Sequence, residues 1–504
     1  MLNIHIRIND AATRRPTPVR VRVSDAAGKG YAPLGRLPVF AVGKGEDVGG
    51  QVRLGRDNWY PIDGGCEVPL PAGIPLRIQA TKGPEYTPLD ETITLGAGQI
   101  SLRFEIARWH ESDGVTVDTR AHFLSPHAAL LEAAAEGVDV VNVLALVHAF
   151  VGQDGNGYPM LSNITSFSGQ TPALTSGGHD VYVNTLNAHH ALGRLGLLNS
   201  HRVVHPLTFG DPDGPDDWSL LDWCGQCHRK GGLVVWTDAF RSDRGILGGE
   251  ALAALLLGQV DAIEFDAQAR PQPLLPWVYK LWDCGVKVPL VGGSGKESNR
   301  TPVGAMRTLA FQASRVSDDA GEPNPTVHTV GSPRDRLLDS VRDNCTVVTN
   351  GPLLAFAATG DRAAATVESV VPFDKLEIVG NGSVLTTTPA TADNGRYRAT
   401  LELKHSVTDG WLAARAVGPK GSLLFPDQPV FAHSSAVFVG TPVRPPKALT
   451  ALRQCLASTR EWVETQGRFT ADKFKVKLLD TLAAAEALVG AGRVSDGLES
   501  EPDA

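Results

Sequence analysis

Over the first hundred residues apolar and polar side chains alternate, in LNIHIRIN, PVRVRVSD, IPLRIQA and ISLRFEIARW. A period of two puts apolar residues on one face of a strand, and Gly, Pro and Asp turns separate the runs. This grammar predicts a β-sandwich over residues 1–108. From residue 109 the pattern changes to apolar strands followed by helices, as in HAALLEAAAEG then VDVVNVLAL, and WSLLDWCGQCHRKGG then LVVWTDAF. Such alternation predicts βα units over 109–350. Period two returns over 351–440, in FDKLEIVGNGSVL, GRYRATLELKH and GWLAARAV, with a turn at Asn381–Gly382, which predicts a second sandwich. Residues 446–491 carry helical spacing and predict a helical hairpin, and the polar, acidic stretch 492–504 predicts a disordered tail. The fold class read from the pattern is multidomain, α/β plus all-β.

One helix boundary is legible to the residue. Ser125 can cap the helix after His122, Pro126 suits its first turn and Gly137 can end it, so His122 is expected in a strand-to-helix loop.

Composition narrows the partners. A net charge of -8 repels polynucleotides and anionic membrane surfaces, so neither nucleic acid nor membrane is expected as a partner, and a small-molecule substrate or ligand is. The N-terminus reads as a strand instead of an apolar leader, no stretch reaches transmembrane length, and the cysteines are sparse, which together suggest reduced thiols in the cytoplasm.

In βα barrels, reactive groups gather at the C-terminal ends of the strands. That filter selects Asp118, Arg120 and His122 in TVDTRAH, Gln170 after ITSFSG, His179 beside DVYVN, Asp238 after LVVWT, Glu264 and Asp266 in AIEFDA, and Ser294, Gly295, Lys296 and Glu297 in GGSGKES. Imidazoles and carboxylates converging from several strands are what a hydrolase uses to hold a divalent ion and activate water. His205 follows the strand-like HRVV and could line the same pocket.

Taken in order, VDTRAHFLSPHAALLEAAAEGVDVVN, SFSGQTPAL, GGHDVYVNTLNAHHALG, GGLVVWTDAF, VDAIEFDA and VPLVGGSGKESNRTPVGAMRT resemble the carbaryl-hydrolase-like (CehA/McbA) branch of the polymerase-and-histidinol-phosphatase (PHP) superfamily. The resemblance spans roughly residues 109–350 and implies a distorted βα barrel that binds divalent metal and hydrolyses esters or phosphoesters, flanked here by the two sandwiches and the hairpin. Several ligand positions depart from the family's pattern. Arg120 stands for the first His of His-x-His, Gln170 falls where an acidic ligand is common, Asp238 lies near the place of a ligand His, and Gly295 replaces an Asp with no His following. NVLALVHAF has no Asp-His-Asn, although it contains His148.

The resemblance therefore leaves His122, His179, Glu264 and Asp238 as ligands for one divalent ion, Zn, Mn or Fe. Arg120, Lys296 and Asp238 are the expected catalytic groups, and Asp118, Gln170, Ser294, Gly295 and His205 the expected substrate contacts. Two functions follow: a PHP-like hydrolase of the ester, carbamate or phosphoester class with a reduced metal site, or a metal-free pseudoenzyme whose barrel face binds a small ligand or a partner protein.

Other motifs point to structure. Cys224-Gly-Gln-Cys227-His228 has the spacing of a c-type haem attachment, but it sits in a helix leading into a buried strand, so haem is disfavoured and packing by small thiols is expected. His189 and His190, expected on a helix, would point about 100° apart and not share an ion. GGSGKES lacks the first Gly and final Ser or Thr of a phosphate loop, though its glycines and Lys296 could take an anion. Asp211, Asp213, Asp216 and Asp217 have calcium-like composition broken by prolines, and the tryptophans at 218, 223, 236, 277 and 282 are expected to be mostly core, with an aryl or sugar platform open to one beside Asp238.

Overall fold

The computed structural model describes residues 1–43, 48–96, 98–151, 156–210, 214–241, 245–267, 271–312, 332–419, 424 and 428–491. The 492–504 tail, Asp211 and Asp213 lie outside the described residues.

The alternating N-terminal segments form two sheets. Leu2–Asp10 pairs antiparallel with Gly65–Leu70 and parallel with Ser101–Ile106. The facing sheet runs in the order Val52–Leu54, Asp57–Ile62, Val19–Asp25, Pro75–Thr81, Leu89–Thr94. Ile4, Ile6 and Ile8 from one sheet and Val19, Val21, Val23 and Ile78 from the other fill a common core, which makes this a sandwich. Val19–Asp25 is also buried on its other face, because that face sits on the next unit. There Arg20, fully buried, pairs with Glu136 at 2.9 Å, and Lys82 Nζ donates to Ala134 O at 2.7 Å, closing off the last turn of the helix Pro126–Glu136.

That helix begins and ends as its sequence predicts. Ser125 Oγ accepts from the Ala128 amide at 3.2 Å, and Gly137 ends it at φ 63°, a left-handed conformation that only glycine adopts without strain.

The middle unit is a run of strands with helices between them. Val115–Ala121, Val140–Val151 and His179–His189 are parallel neighbours, Gly193–Leu198 runs antiparallel, and Leu233–Thr237, Ala262–Asp266 and Leu290–Gly293 return to parallel pairing. The chain after the last strand comes back against the first through an Ala121–Lys296 bridge, with His122 N donating to Lys296 O at 2.8 Å and Gly295 N to Arg120 O at 2.8 Å. The C-terminal ends of the parallel strands thereby face one another across a ring. Helices Leu220–Arg229, Gly249–Leu256 and Pro271–Asp283 pack on it and share its apolar core.

The second sandwich is not a separate bead. Thr346–Thr349 pairs on one edge with Arg307–Ala310 of the middle unit and on the other with Val430–Ser434, so one sheet continues into the C-terminal unit. A four-stranded sheet, Leu353–Thr359, Arg362–Ser369, Arg396–Lys404 and Thr391–Asp393, covers it. Helices Pro446–Thr465 and Asp472–Ala491 form the expected hairpin, with Leu456, Trp462 and Leu482 in the core they share with Gly249–Leu256. Among the described residues no helix is long and apolar enough to cross a membrane.

Candidate functional site

The strand Val115–Ala121 shifts register against its neighbour between Asp118 and Ala121. A shift of this kind turns adjacent side chains toward the same side. Both Thr119 and Arg120 accordingly reach Glu264 of the strand Ala262–Asp266, Thr119 Oγ1 donating to Oε2 at 3.0 Å and Arg120 Nε to Oε1 at 2.6 Å. The other end of the guanidinium lies 3.0 Å from Asp266 Oδ2 and 3.4 Å from Asp238 Oδ1. Gly293 permits this packing, since a Cβ there would stand 2.7 Å from Glu264 Oε2.

Arg120 and its three carboxylate partners are sealed in, each with a side chain at most 4% exposed. Burial alone would lower the Arg120 pKa, but Glu264, Asp238 and Asp266 together hold it well above the usual value. Burial raises the Glu264 pKa, the Arg120 guanidinium pulls it back, and Asp266 and Asp238 add to the rise; at 2.6 Å the guanidinium favours the ionised carboxylate. Two further arginines frame the cluster. Arg194 lies 3.5 Å from Asp238 Oδ2 and Arg241 3.5 Å from Asp238 Oδ1 and 3.7 Å from Asp266 Oδ2, and about a quarter of each side chain meets solvent. Asp238 and Phe240 both take left-handed backbone, at φ 54° and 55°, a conformation that is strained for Phe and often found near functional sites.

His122 directly follows the end of the strand Val115–Ala121, in the loop that leads to the helix Pro126–Glu136. Its Nδ1 donates to Leu144 O at 2.9 Å, which leaves Nε2 as an unprotonated acceptor, fully buried and without a hydrogen-bond partner. Burial, then the neighbouring Arg120 charge, push its pKa down to about 4.

The remaining expected site residues divide sharply. Asp118 is a structural knot, not a substrate contact: Oδ1 accepts from Arg120 N at 3.0 Å and Ser294 N at 2.8 Å, and Oδ2 from Gly304 N at 2.8 Å. Ser294 Oγ likewise donates to Arg120 O at 3.1 Å. Gly295 does border the site, where a Cβ would lie 3.4 Å from the Arg120 guanidinium. Lys296 does not. Its ammonium is fully buried, donates to Thr301 O at 2.7 Å and pairs with Glu132 at 3.2 Å, so it faces the helix Pro126–Glu136 and is not placed to orient a substrate.

His179 is the clearest correction. It is the first residue of its strand, level with Asp139 through the Val140–Asp180 register, and so lies at the opposite end of the strands from His122. Gln170 follows a short helical turn, Ile164–Ser166, because Ser, Thr and Gly there form turns instead of a strand, and its amide donates to Lys230 O at 3.3 Å. His205 is exposed in a surface loop.

Sequence reasoning placed Asp266 on the strand ends but left it out of the ligand set, although its spacing of two from Glu264 puts both on one strand face. Arg194 gave no signal, because its strand runs antiparallel, so its start, with Arg194 opposite Thr237, falls level with the C-terminal ends of the parallel strands.

The other motifs resolve into structure. His189 ends a strand and not a helix; its ring lies 4.4 Å from that of His190, and both groups fall within 4.8 Å of Asp216. This trio is no metal centre in waiting, since His189 Nδ1 accepts from the Ala191 and Leu192 amides and Nε2 donates to Asp216 at 2.9 Å, leaving no lone pair. Cys224 and Cys227 are fully buried, with thiols pushed up by desolvation, and His228 pairs with Asp261 at 2.9 Å. Trp223, Trp236 and Trp282 are core, Trp277 stacks on Phe240, and Trp218 is exposed.

No protein-family model matches the chain, and no curated protein or solved structure matches it significantly.

Proposed function

We propose that the strand ring is a PHP-like distorted βα barrel of the carbaryl-hydrolase-like type in which a protein guanidinium has taken over the role of the metal. On this reading the chain is a metal-free binding protein whose barrel mouth takes a small anionic molecule. The observation that carries it is the contact of Arg120 with Glu264, Asp266 and Asp238. A divalent ion needs carboxylates with free lone pairs and uncompensated charge. Here two of the four expected ligands are neutralised by Arg120 and a third, His179, lies at the other end of the strands, so the residues present do not fit the ion. Arg194 and Arg241, about a quarter exposed at the rim and paired with Asp238 and Asp266, are the groups that a carboxylate or phosphate entering there would meet.

The competing reading, a mononuclear hydrolase, draws on one observation: the open Nε2 of His122. Elemental analysis separates the two. After incubation with excess Zn, Mn and Fe salts and desalting, the metal-free reading expects far less than one equivalent per chain, together with thermal stabilisation by phosphate or benzoate. A full equivalent of metal accompanied by aryl-ester turnover would overturn it.

A further inference from the structure

A cavity of about 1060 Å3 lies at the far end of the strands from Arg120. It runs between the N-terminal sandwich, the helix Pro126–Glu136 and the Ser176–His179 turn, and its volume matches the upper range of small-molecule sites, roughly 300–1,000 Å3. It is where His179 lies.

Its polar groups are mostly acceptors. His179 Nδ1 donates to Val138 O at 2.7 Å, so Nε2 is left as a lone pair. On the adjacent strand end, Asp139 Oδ2 accepts the Thr116 amide at 2.8 Å, leaving Oδ1 open. Burial pushes this carboxyl up to about 6, against the hydrogen bond from the Thr116 amide, which favours the ionised form. The two residues are held side by side, since Asp180 N donates to Asp139 O at 2.7 Å.

The cations of the cavity are already committed. Arg108 pairs with Glu85 and reaches Glu111 at 3.3 Å. Lys82 turns its ammonium to Pro18 O at 3.1 Å and Ala134 O at 2.7 Å, over the Tyr86 ring. Backbone carbonyls leave the Lys82 charge in place, but Asp10, Asp63, Glu85, Glu111 and Asp139 outnumber Lys82 and Arg108 along the wall, so the field is negative, while Leu130, Leu131 and Ala134 present an apolar helix face. An ammonium matches two adjacent acceptors in a negative field, and an apolar wall matches a hydrocarbon or aryl body.

We propose that this cavity binds an organic amine with an apolar body, its ammonium donating to Asp139 Oδ1 and His179 Nε2 and its body lying along Leu130 and Leu131. The site is separate from the barrel mouth and independent of the reading given for it.

Calorimetric titration of the full chain with phenethylamine, phenylethanol and phenylacetate is the test. Saturable binding of the amine is expected, at least tenfold tighter than the alcohol and with the anion excluded. Asp139→Asn keeps an oxygen for the Thr116 amide and is expected to weaken the amine by about tenfold or more, the scale of a charge-assisted hydrogen bond. His179→Gln serves as a second variant should circular dichroism show that Asp139→Asn unfolds the chain. Absence of saturable binding, equal affinity for amine and alcohol, or unchanged affinity in the folded variant would each overturn the proposal.

Discussion

Arg120 Nε stands 2.6 Å from Glu264 Oε1, both side chains shut away from water and each the other's nearest opposite charge. A buried pair of this kind is strongly destabilised when one partner is removed, because the other charge is then stranded. Arg120→Met should therefore cost about 3–5 kcal/mol in urea unfolding. Arg120→Met combined with Glu264→Gln should cost clearly less than the sum of the single changes. Additive losses would mean that the guanidinium does not balance this carboxylate.

Exchanging Arg120 for histidine should reverse the chemistry of the pocket. With the guanidinium gone, Glu264 loses its cationic partner, while Asp238 and Asp266 keep only their longer contacts with the rim arginines Arg194 and Arg241. Arg120→His is expected to retain about one equivalent of Zn after desalting, and to gain about 2.7 kcal/mol of stability when free Zn is 100-fold above its dissociation constant. A variant as metal-free as the parent would remove the substitution argument.

Two buried imidazoles make acid stability a sharp readout. Burial pushes both His122 and His433 down to about 4, against about 6.5 in an unfolded chain. A depressed folded pKa gives stability that is present above pH 6.5 and lost as pH falls through 4. Each contributes about 3 kcal/mol by linkage. The stability difference between the parent and His433→Gln should accordingly shrink from pH 7 to pH 4. Carboxyls that titrate in this range are common to both proteins and cancel in the difference, so a gap independent of pH would exclude the effect.

Lys296 should behave as a structural cation. Lys296→Met strands Glu132 beneath the helix Pro126–Glu136 and is expected to lower stability by about 3–5 kcal/mol, while leaving the affinity of any anion bound beside Arg194 and Arg241 unchanged in the folded fraction. Loss of anion affinity at unchanged melting temperature would restore it to the site.

Much of this architecture is legible in the sequence where a local rule acts alone. The helix at Pro126–Glu136 is bounded by its own cap and glycine, and the alternation of Ile4, Ile6 and Ile8 reports a half-buried strand directly. Glu264 and Asp266 were legible as strand-end carboxylates for the same reason. What escaped depends on direction and partner. A His beside DVYVN reads alike at either end of a strand, so His179 was assigned to the wrong end. Lys296 looks like an anion binder until the helix that carries Glu132 is in place. His189 and His190 sit in a run that suits a helix, and only pairing with Gly193–Leu198 makes His189 the end of a strand and His190 part of the turn after it.

The edge-to-edge pairing of Thr346–Thr349 has a practical corollary for anyone dividing this chain. A fragment ending at residue 350 would carry a bare hydrogen-bonding edge where Val430–Ser434 now lies, an invitation to intermolecular strand addition. Expression of the middle unit by itself is thus a recipe for aggregates, and calorimetry on the intact protein should register these two parts melting together.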